Sequence, residues 1–255
     1  MPSNYLIDTH CHLHDREFFS EEQAEEILKR AREKEVLKII CIGTNPKDSL
    51  SACDFASKHE NVYWTYGTHP SEINDKNLFT KDEKLVAIGE VGLDYHYDGY
   101  DREAQIKLFE QMLQLAQDND LPVSFHVREA FRDFFPVVSN FPKIRGVVHS
   151  FSDNKKNLRK ILEETEFYIG VNGMATYSTL PTPPLNRILL ETDAPFLTPV
   201  PFRGIINESG YIYKIAQWLS SELAVDFDRV ERETTENAKK LFRFDGAGVP
   251  PADAD

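Results

Sequence analysis

The sequence predicts an α/β protein built as a single (β/α)8 TIM barrel. Three observations carry that prediction. Short apolar runs alternate with longer helix-like stretches along the chain, these runs number eight, and they are near-continuously apolar, as parallel strands covered on both faces must be. Eight such units in about 240 residues suit a closed barrel better than an open sheet.

The runs fall at 5–8, 37–42, 62–66, 86–89, 123–125, 146–148, 168–171 and 188–190. Between the first two, the stretch 21–34 sets Ala24, Ile27, Leu28 and Ala31 on one helical face. The stretch 102–119 does the same with Leu108, Phe109, Met112, Leu115 and Ala116. The connection 172–187, between strands seven and eight, is short and contains Pro181, Pro183 and Pro184, which leaves room for a turn of helix at most. Residues 245–255 are Gly, Pro, Asp and small apolar residues and read as a disordered tail, so the barrel occupies 1–244.

With 29 Lys and Arg against 42 Asp and Glu, the formal net charge is −13. That argues against a partner gripped by a broad basic face, and any phosphate-bearing substrate needs a local cationic centre. The longest apolar run falls far short of the ~20 residues of a membrane span. No signal peptide pattern opens the chain, and three cysteines are too few for a disulfide framework. A cytoplasmic setting follows as the expectation, with no membrane and no obligate protein partner.

The chemistry lies at the strand ends. The first run leads into Asp8-Thr9-His10-Cys11-His12. Residues two apart on a strand point the same way, so His10 and His12 form a ready pair of metal ligands. Cys11 points the other way and reads as a small buried residue. Strand four ends with Glu90 and Asp94, strand five with His126 and Arg128, strand six with His149, strand eight with Asp193. In a barrel these ends converge on one face. Of the 8 histidines only His14, His59 and His96 lie elsewhere, His69 following strand three.

Four imidazoles and two carboxylates exceed the needs of one four-coordinate ion and suit two ions about 3.5–4 Å apart. Strand four lies between the strand-one pair and the later histidines, which makes Glu90 the natural bridge. Asp193 can ligate one ion and accept a proton from its water, whose pKa a metal lowers from 15.7 to about 7. The expected chemistry is metal-assisted hydrolysis.

The stretches DTHCHL, GTHP, GEVGLDY, HVREA, VVHSFS, LLETDAPFLTP, PFRGIINE and TTENAKKLF occur in that order over about residues 5–243. The chain thereby resembles the TatD-family metal-dependent deoxyribonucleases of the amidohydrolase superfamily. The resemblance implies one ion on His10, His12 and Asp193, another on His126 and His149, and Glu90 between them. It implies trimming of DNA from 3′ ends, with single-stranded ends as the partner. Lys84 is too early to replace Glu90 as a carbamylated bridge, which points away from the hydantoinase and phosphotriesterase branches.

His69, Arg128 and Arg203 are candidates for binding phosphate oxygens; Arg128 alternatively pairs with Glu129 or Asp133. Asp94 is a candidate to hold a ligating histidine from behind, or else to cap a turn. Tyr95 opens an aromatic run, with His96, Tyr97 and Tyr100, on which bases could stack or which could form a lid or dimer surface. The family's 172–187 region normally carries a helix, and its Pro after Asn-Glu is Ser209 here, loosening the loop around Arg203. Ligand softness favours Zn²⁺, Mn²⁺ or Fe²⁺, whereas the resemblance implies Mg²⁺. The same hydroxide attacks carbonyl carbon, so an ester or amide, such as an aminoacyl-tRNA ester, is the alternative substrate. Two ions against two ligating carboxylates leave about +2 at the mouth before Arg128 and Arg203 are counted, enough to take a strand end into the pocket.

Overall fold

The computed structural model describes residues 5–72 and 78–244; the tail 245–255 lies outside them. Eight parallel strands pair in chain order: β1 (Leu6–Cys11), β2 (Val36–Ile42), β3 (Val62–Tyr66), β4 (Leu85–Asp94), β5 (Val123–Arg128), β6 (Gly146–Val148), β7 (Tyr168–Val171) and β8 (Ile188–Leu190). Backbone bonds bring β8 back to β1: the Asp193 amide donates to the His10 carbonyl (2.8 Å) and the His12 amide to that of Ala194 (2.7 Å). Buried Asp8 ties the same seam, accepting from the Thr192 amide (2.9 Å) and hydroxyl (2.6 Å). This is the TIM barrel that the sequence predicts.

Helices α1 (Glu21–Glu33), α2 (Pro46–Lys58), α3 (Arg102–Asp118), α4 (Phe131–Ser139) and α5 (Lys155–Glu164) alternate with the strands, and α6 (Ile212–Leu223) and α7 (Phe227–Phe242) follow β8. Helix α1 begins at a reciprocal cap between Ser20 and Gln23 and buries Ala24, Ile27 and Ala31. Helix α3 starts on the Asp101 carboxylate and buries Phe109, Met112 and Ala116, with Leu113 more deeply buried than the expected Leu108 and Leu115. The proline-rich connection carries only two short 3-10 turns, Gly173–Thr176 and Leu185–Arg187. Among the described residues the β3–β4 connection carries no helix either, which departs from one helix per strand. Asp82 anchors that connection, accepting from the Trp64 indole (2.8 Å) and the Leu85 amide (2.9 Å).

Apolar packing divides into two clusters. The larger lies where the helices meet the strands, through residues such as Ile39 and Cys41. The smaller collects the alternate positions Ile7, Ile40, Ile42, Val86, Val147 and Leu189 with Leu241 and Phe242 from the last turn of α7 and Phe244 just after it. Opposite faces of the same strands therefore serve the two cores.

Strands β1, β4 and β5 run past their apolar stretches, because ladder bonds belong to the backbone and tolerate polar side chains at a barrel mouth. In β4 the register slips between Ile88 and Val91, and the Glu90 amide leaves the ladder to donate to the Gly43 carbonyl at 3.1 Å. Such an irregularity re-aims a side chain. Close approach makes it feasible: a Cβ on Gly67 would lie 2.6 Å from the Gly89 carbonyl carbon.

Candidate metal centre

The six expected ligands come together. His10 Nε2 lies 3.7 Å from Glu90 Oε2 and 3.5 Å from Asp193 Oδ1, and His12 Nε2 lies 3.5 Å from the same Asp193 oxygen. On the other side of Glu90, His126 Nδ1 is 2.5 Å from Oε1 and His149 Nε2 is 3.7 Å from it. The His149 ring stacks on His10 at 3.4 Å between centroids. Glu90 thus has its two oxygens facing different histidine pairs, as a bridging carboxylate requires.

The separations test whether metal fits. Two ligands of one tetrahedral ion with ~2.1 Å bonds stand about 3.4 Å apart. The 3.5–3.7 Å gaps are too long for hydrogen bonds and close to that spacing. His10 Nε2 is buried without a hydrogen-bond partner, the cost of which an ion would remove. Donor atoms of His10, His12 and Glu90, and of His69, Glu90 and His126, lie within 4.8 Å of one another. The residues present fit divalent metal.

Protonation divides the donors: His10, His69 and Glu90 stand ready to ligate, whereas His126 and His149 must first lose a proton. Burial and the neighbouring His149 hold His10 well below the usual imidazole value, leaving it a neutral donor. Burial would raise Glu90, but the His126 hydrogen bond and surrounding imidazoles outweigh it and keep the carboxyl well below its usual range. Burial opposes charge on His126 too, yet hydrogen bonds to Asp94 and Glu90 lift it to about 9. Against the same opposition, Glu191 and Asp193 lift His149 to about 10. Burial lowers His69 to about 4.

Asp94 Oδ2 meets His126 Nε2 at 2.9 Å, holding the ring so that Nδ1 faces Glu90. Its Oδ1 also accepts from the His96 amide at 2.9 Å, so both expectations for Asp94 apply. His69 turns Nε2 toward Glu90 Oε1 at 3.8 Å while Nδ1 meets the Ser71 hydroxyl at 2.8 Å, which places it among the donors as well as at the cleft. A cleft of about 770 Å³ opens over these residues, and among the residues lining it Arg128 is the one Lys or Arg.

Two expected substrate contacts fall elsewhere. Arg203 lies outside the cleft lining, its guanidinium 3.9 Å from the Tyr177 ring centroid and 3.3 Å from the Thr198 carbonyl. Tyr95 stacks on Tyr100 (4.4 Å) and donates its hydroxyl to Asp133 (3.0 Å), so Tyr97 is the member of the aromatic run that lines the cleft. Asp133 is taken by Tyr95 and Arg102, whose guanidinium donates at 2.6 and 2.7 Å; Arg128 instead donates to the Tyr97 hydroxyl at 3.4 Å. The charge arithmetic also shifts, since Asp15, Asp48, Glu72 and Asp94 line the cleft beside Glu90 and Asp193. Six carboxylates against two divalent ions would turn the expected +2 into about −2, or −1 with Arg128, so the cleft as a whole is not cationic and positive charge would be confined to the ions themselves.

The sequence reading passed over Glu191. Its side chain is fully buried, accepts from the Ser150 amide at 2.6 Å and lies 3.1 Å from His149 Nδ1. The available signal was its place two residues before Asp193, on the same side of the strand end. Ser150 and Asp193, beside the candidate ligands or among them, have φ of 47° and 57°, left-handed values that the seam and loop bonds sustain.

A family model described as TatD related DNase matches residues 7–243. The chain belongs to that family. Similar proteins include the uncharacterized metal-dependent hydrolase YabD of Bacillus subtilis, 32% identical over 94% of this chain and 99% of its own. The 3'-5' ssDNA/RNA exonuclease TatD of Erwinia tasmaniensis is 32% identical over 86% of this chain and 93% of its own. Among solved structures, YJJV, a TatD homologue from Escherichia coli K12, superposes with a TM-score of 0.83 at 28% identity, covering 96% of this chain and 98% of that one. Family, fold and donor set together make the chain a metal-dependent hydrolase. Among the described residues no helix is long and apolar enough to cross a membrane.

Proposed function

We propose that this chain hydrolyses phosphodiester bonds of DNA from a 3′ end at a two-ion centre. The observation that carries the reading is Glu90, whose oxygens face His10 on one side and His126 with His149 on the other, beside Asp193. His10, His12 and Asp193 would hold one ion, His126 and His149 the other, with Glu90 shared and His69 within reach. Divalent ions held there would neutralise phosphate charge and lower the pKa of water enough for hydroxide to form at neutral pH. Asp193 accepts the proton of the attacking water. Asp94 and Glu191 orient His126 and His149, and Arg128 meets a phosphate oxygen from the cleft wall. The DNA assignment draws on the family's description and on the exonuclease named among the relatives.

The test measures metal content and activity together. Wild type, Glu90→Ala and Asp193→Asn are assayed with Mg²⁺, Mn²⁺ or Zn²⁺ on 3′-labelled single-stranded DNA and on carbonyl esters. Release of mononucleotides by wild type only, with metal lost in Glu90→Ala, is expected. Activity confined to esters, or full nuclease activity in either variant, overturns the reading.

A further inference from the structure

The cleft over the donors carries two exposed phenyl rings, Phe18 and Phe196, and we propose that Phe196 is a stacking subsite for the terminal nucleobase of a single strand, an inference that rests on the nuclease reading. Phe18 and Phe196 line the cleft with 40% and 47% of their surface exposed. They meet edge to face at 5.3 Å, and Phe196 lies 6.3 Å from the His12 ring. Because the rings stand nearly perpendicular, at 80°, they form no common plane, and one ring offers its face while the other buttresses it.

Phe196 is fixed relative to the chemistry. It follows Asp193 by three residues, and its amide donates to the Asp193 carbonyl at 2.8 Å. The Asn207 side-chain amide donates to the Phe196 carbonyl (2.6 Å) and to that of Thr192 (2.8 Å), clamping both ends of the turn. A group stacked on Phe196 therefore stands at a set distance from Asp193.

Chemistry narrows the occupant. A flat aromatic group joined to an anion satisfies both features: the anion at the metal donors, the flat group on the face of Phe196, with Phe18 at its edge. Arg128, its guanidinium 5.4 Å from the Tyr97 ring, faces the same cleft and suits the next phosphate. The carboxylates around the opening oppose a long polyanion, so a single unstacked end enters. Every base has a π face, so the subsite accepts all four.

The test compares oligonucleotides ending in a normal 3′ nucleotide with the same strands ending in an abasic residue, and follows a 3′-terminal 2-aminopurine by fluorescence. Wild type is expected to favour the base-bearing end by about ten- to hundredfold in kcat/KM, from the stacking energy of one base. The preference falls toward one in Phe196→Ala and survives in Phe196→Tyr, at unchanged metal content; Phe18→Ala loses part of it. Cleavage without base preference in wild type, or the same preference in Phe196→Ala, overturns the subsite. Absence of cleavage with 2-aminopurine quenching that Phe196→Ala abolishes overturns the nuclease reading and upholds the subsite. Absence of both overturns both.

Discussion

Replacing Gly170 with alanine puts a methyl group into the space of a buried carboxylate. A Cβ there would lie 2.4 Å from Glu191 Oε2 and 2.6 Å from both Cδ and Oε1, about 0.8–1 Å inside ordinary contact. Gly170 cannot retreat, because it is paired with Leu189 in the β7–β8 ladder. Glu191 is the far end of a flexible side chain, but it is fully buried and spends Oε1 on the Ser150 amide and His149. Moving it by the required distance breaks those contacts, at about 1.5–3 kcal/mol for a hydrogen bond to a charged group. Overpacking adds about 1–3 kcal/mol. The expected loss is about 3–5 kcal/mol, measured by urea unfolding of metal-stripped protein, with weakened metal binding as His149 loses its orienting partner. A double-mutant cycle isolates the cause. In a Glu191→Ala background the added methyl meets no carboxylate, so Gly170→Ala there is expected to cost under about 1 kcal/mol. A loss below about 0.5 kcal/mol in the wild-type background, or an equal loss in both, refutes the reasoning.

Other outcomes follow from the same geometry. Asp94→Asn removes the charge behind His126 and is expected to weaken metal affinity about 10–100-fold, read by competition with a chelator; unchanged affinity would show that Asp94 only caps the turn. In metal-free protein His126 and His149 carry protons at neutral pH, being raised to about 9 and about 10. Metal must displace them, so calorimetry in buffers of different ionisation enthalpy should record proton release near pH 7, with affinity rising as pH rises toward 9. Burial raises Asp8 from 3.8 to about 7, outweighing the donors around it. A raised carboxyl favours the folded state fully below pH ~4, and this contribution, on the order of 4 kcal/mol, is lost as pH rises to about 7. Asp8→Asn should flatten that part of the stability–pH profile, and an unaltered slope between pH 4 and 7 would count against it.

Much of the fold and of the metal centre is legible without coordinates, for a particular reason. Continuous apolar runs mark strands buried on both faces, and a parallel barrel sends all their C-terminal ends to one side, so His10, His12, Glu90, His126, His149 and Asp193 can be gathered by strand order alone. Residues whose role depends on where a side chain turns are less legible. Arg203 and Tyr95 sit in suitable motifs, yet one packs on Tyr177 and the other on Tyr100 and Asp133. Phe18 and Phe196 carry no local signal of exposure in the sequence, yet stand exposed at the cleft.

The sequence by itself determined the barrel and its thin β7–β8 connection and gathered six candidate donors on one face, because backbone periodicity and strand polarity are local properties that repeat. The tertiary structure alone decided which oxygen of Glu90 faces which histidine, that Glu191 and Asp94 stand behind His149 and His126, and that Arg128 faces the cleft while Arg203 does not. Those facts depend on contacts between strands and loops far apart in the chain, where a difference of one ångström separates a ligand from a bystander, and no local pattern of residues encodes such a distance.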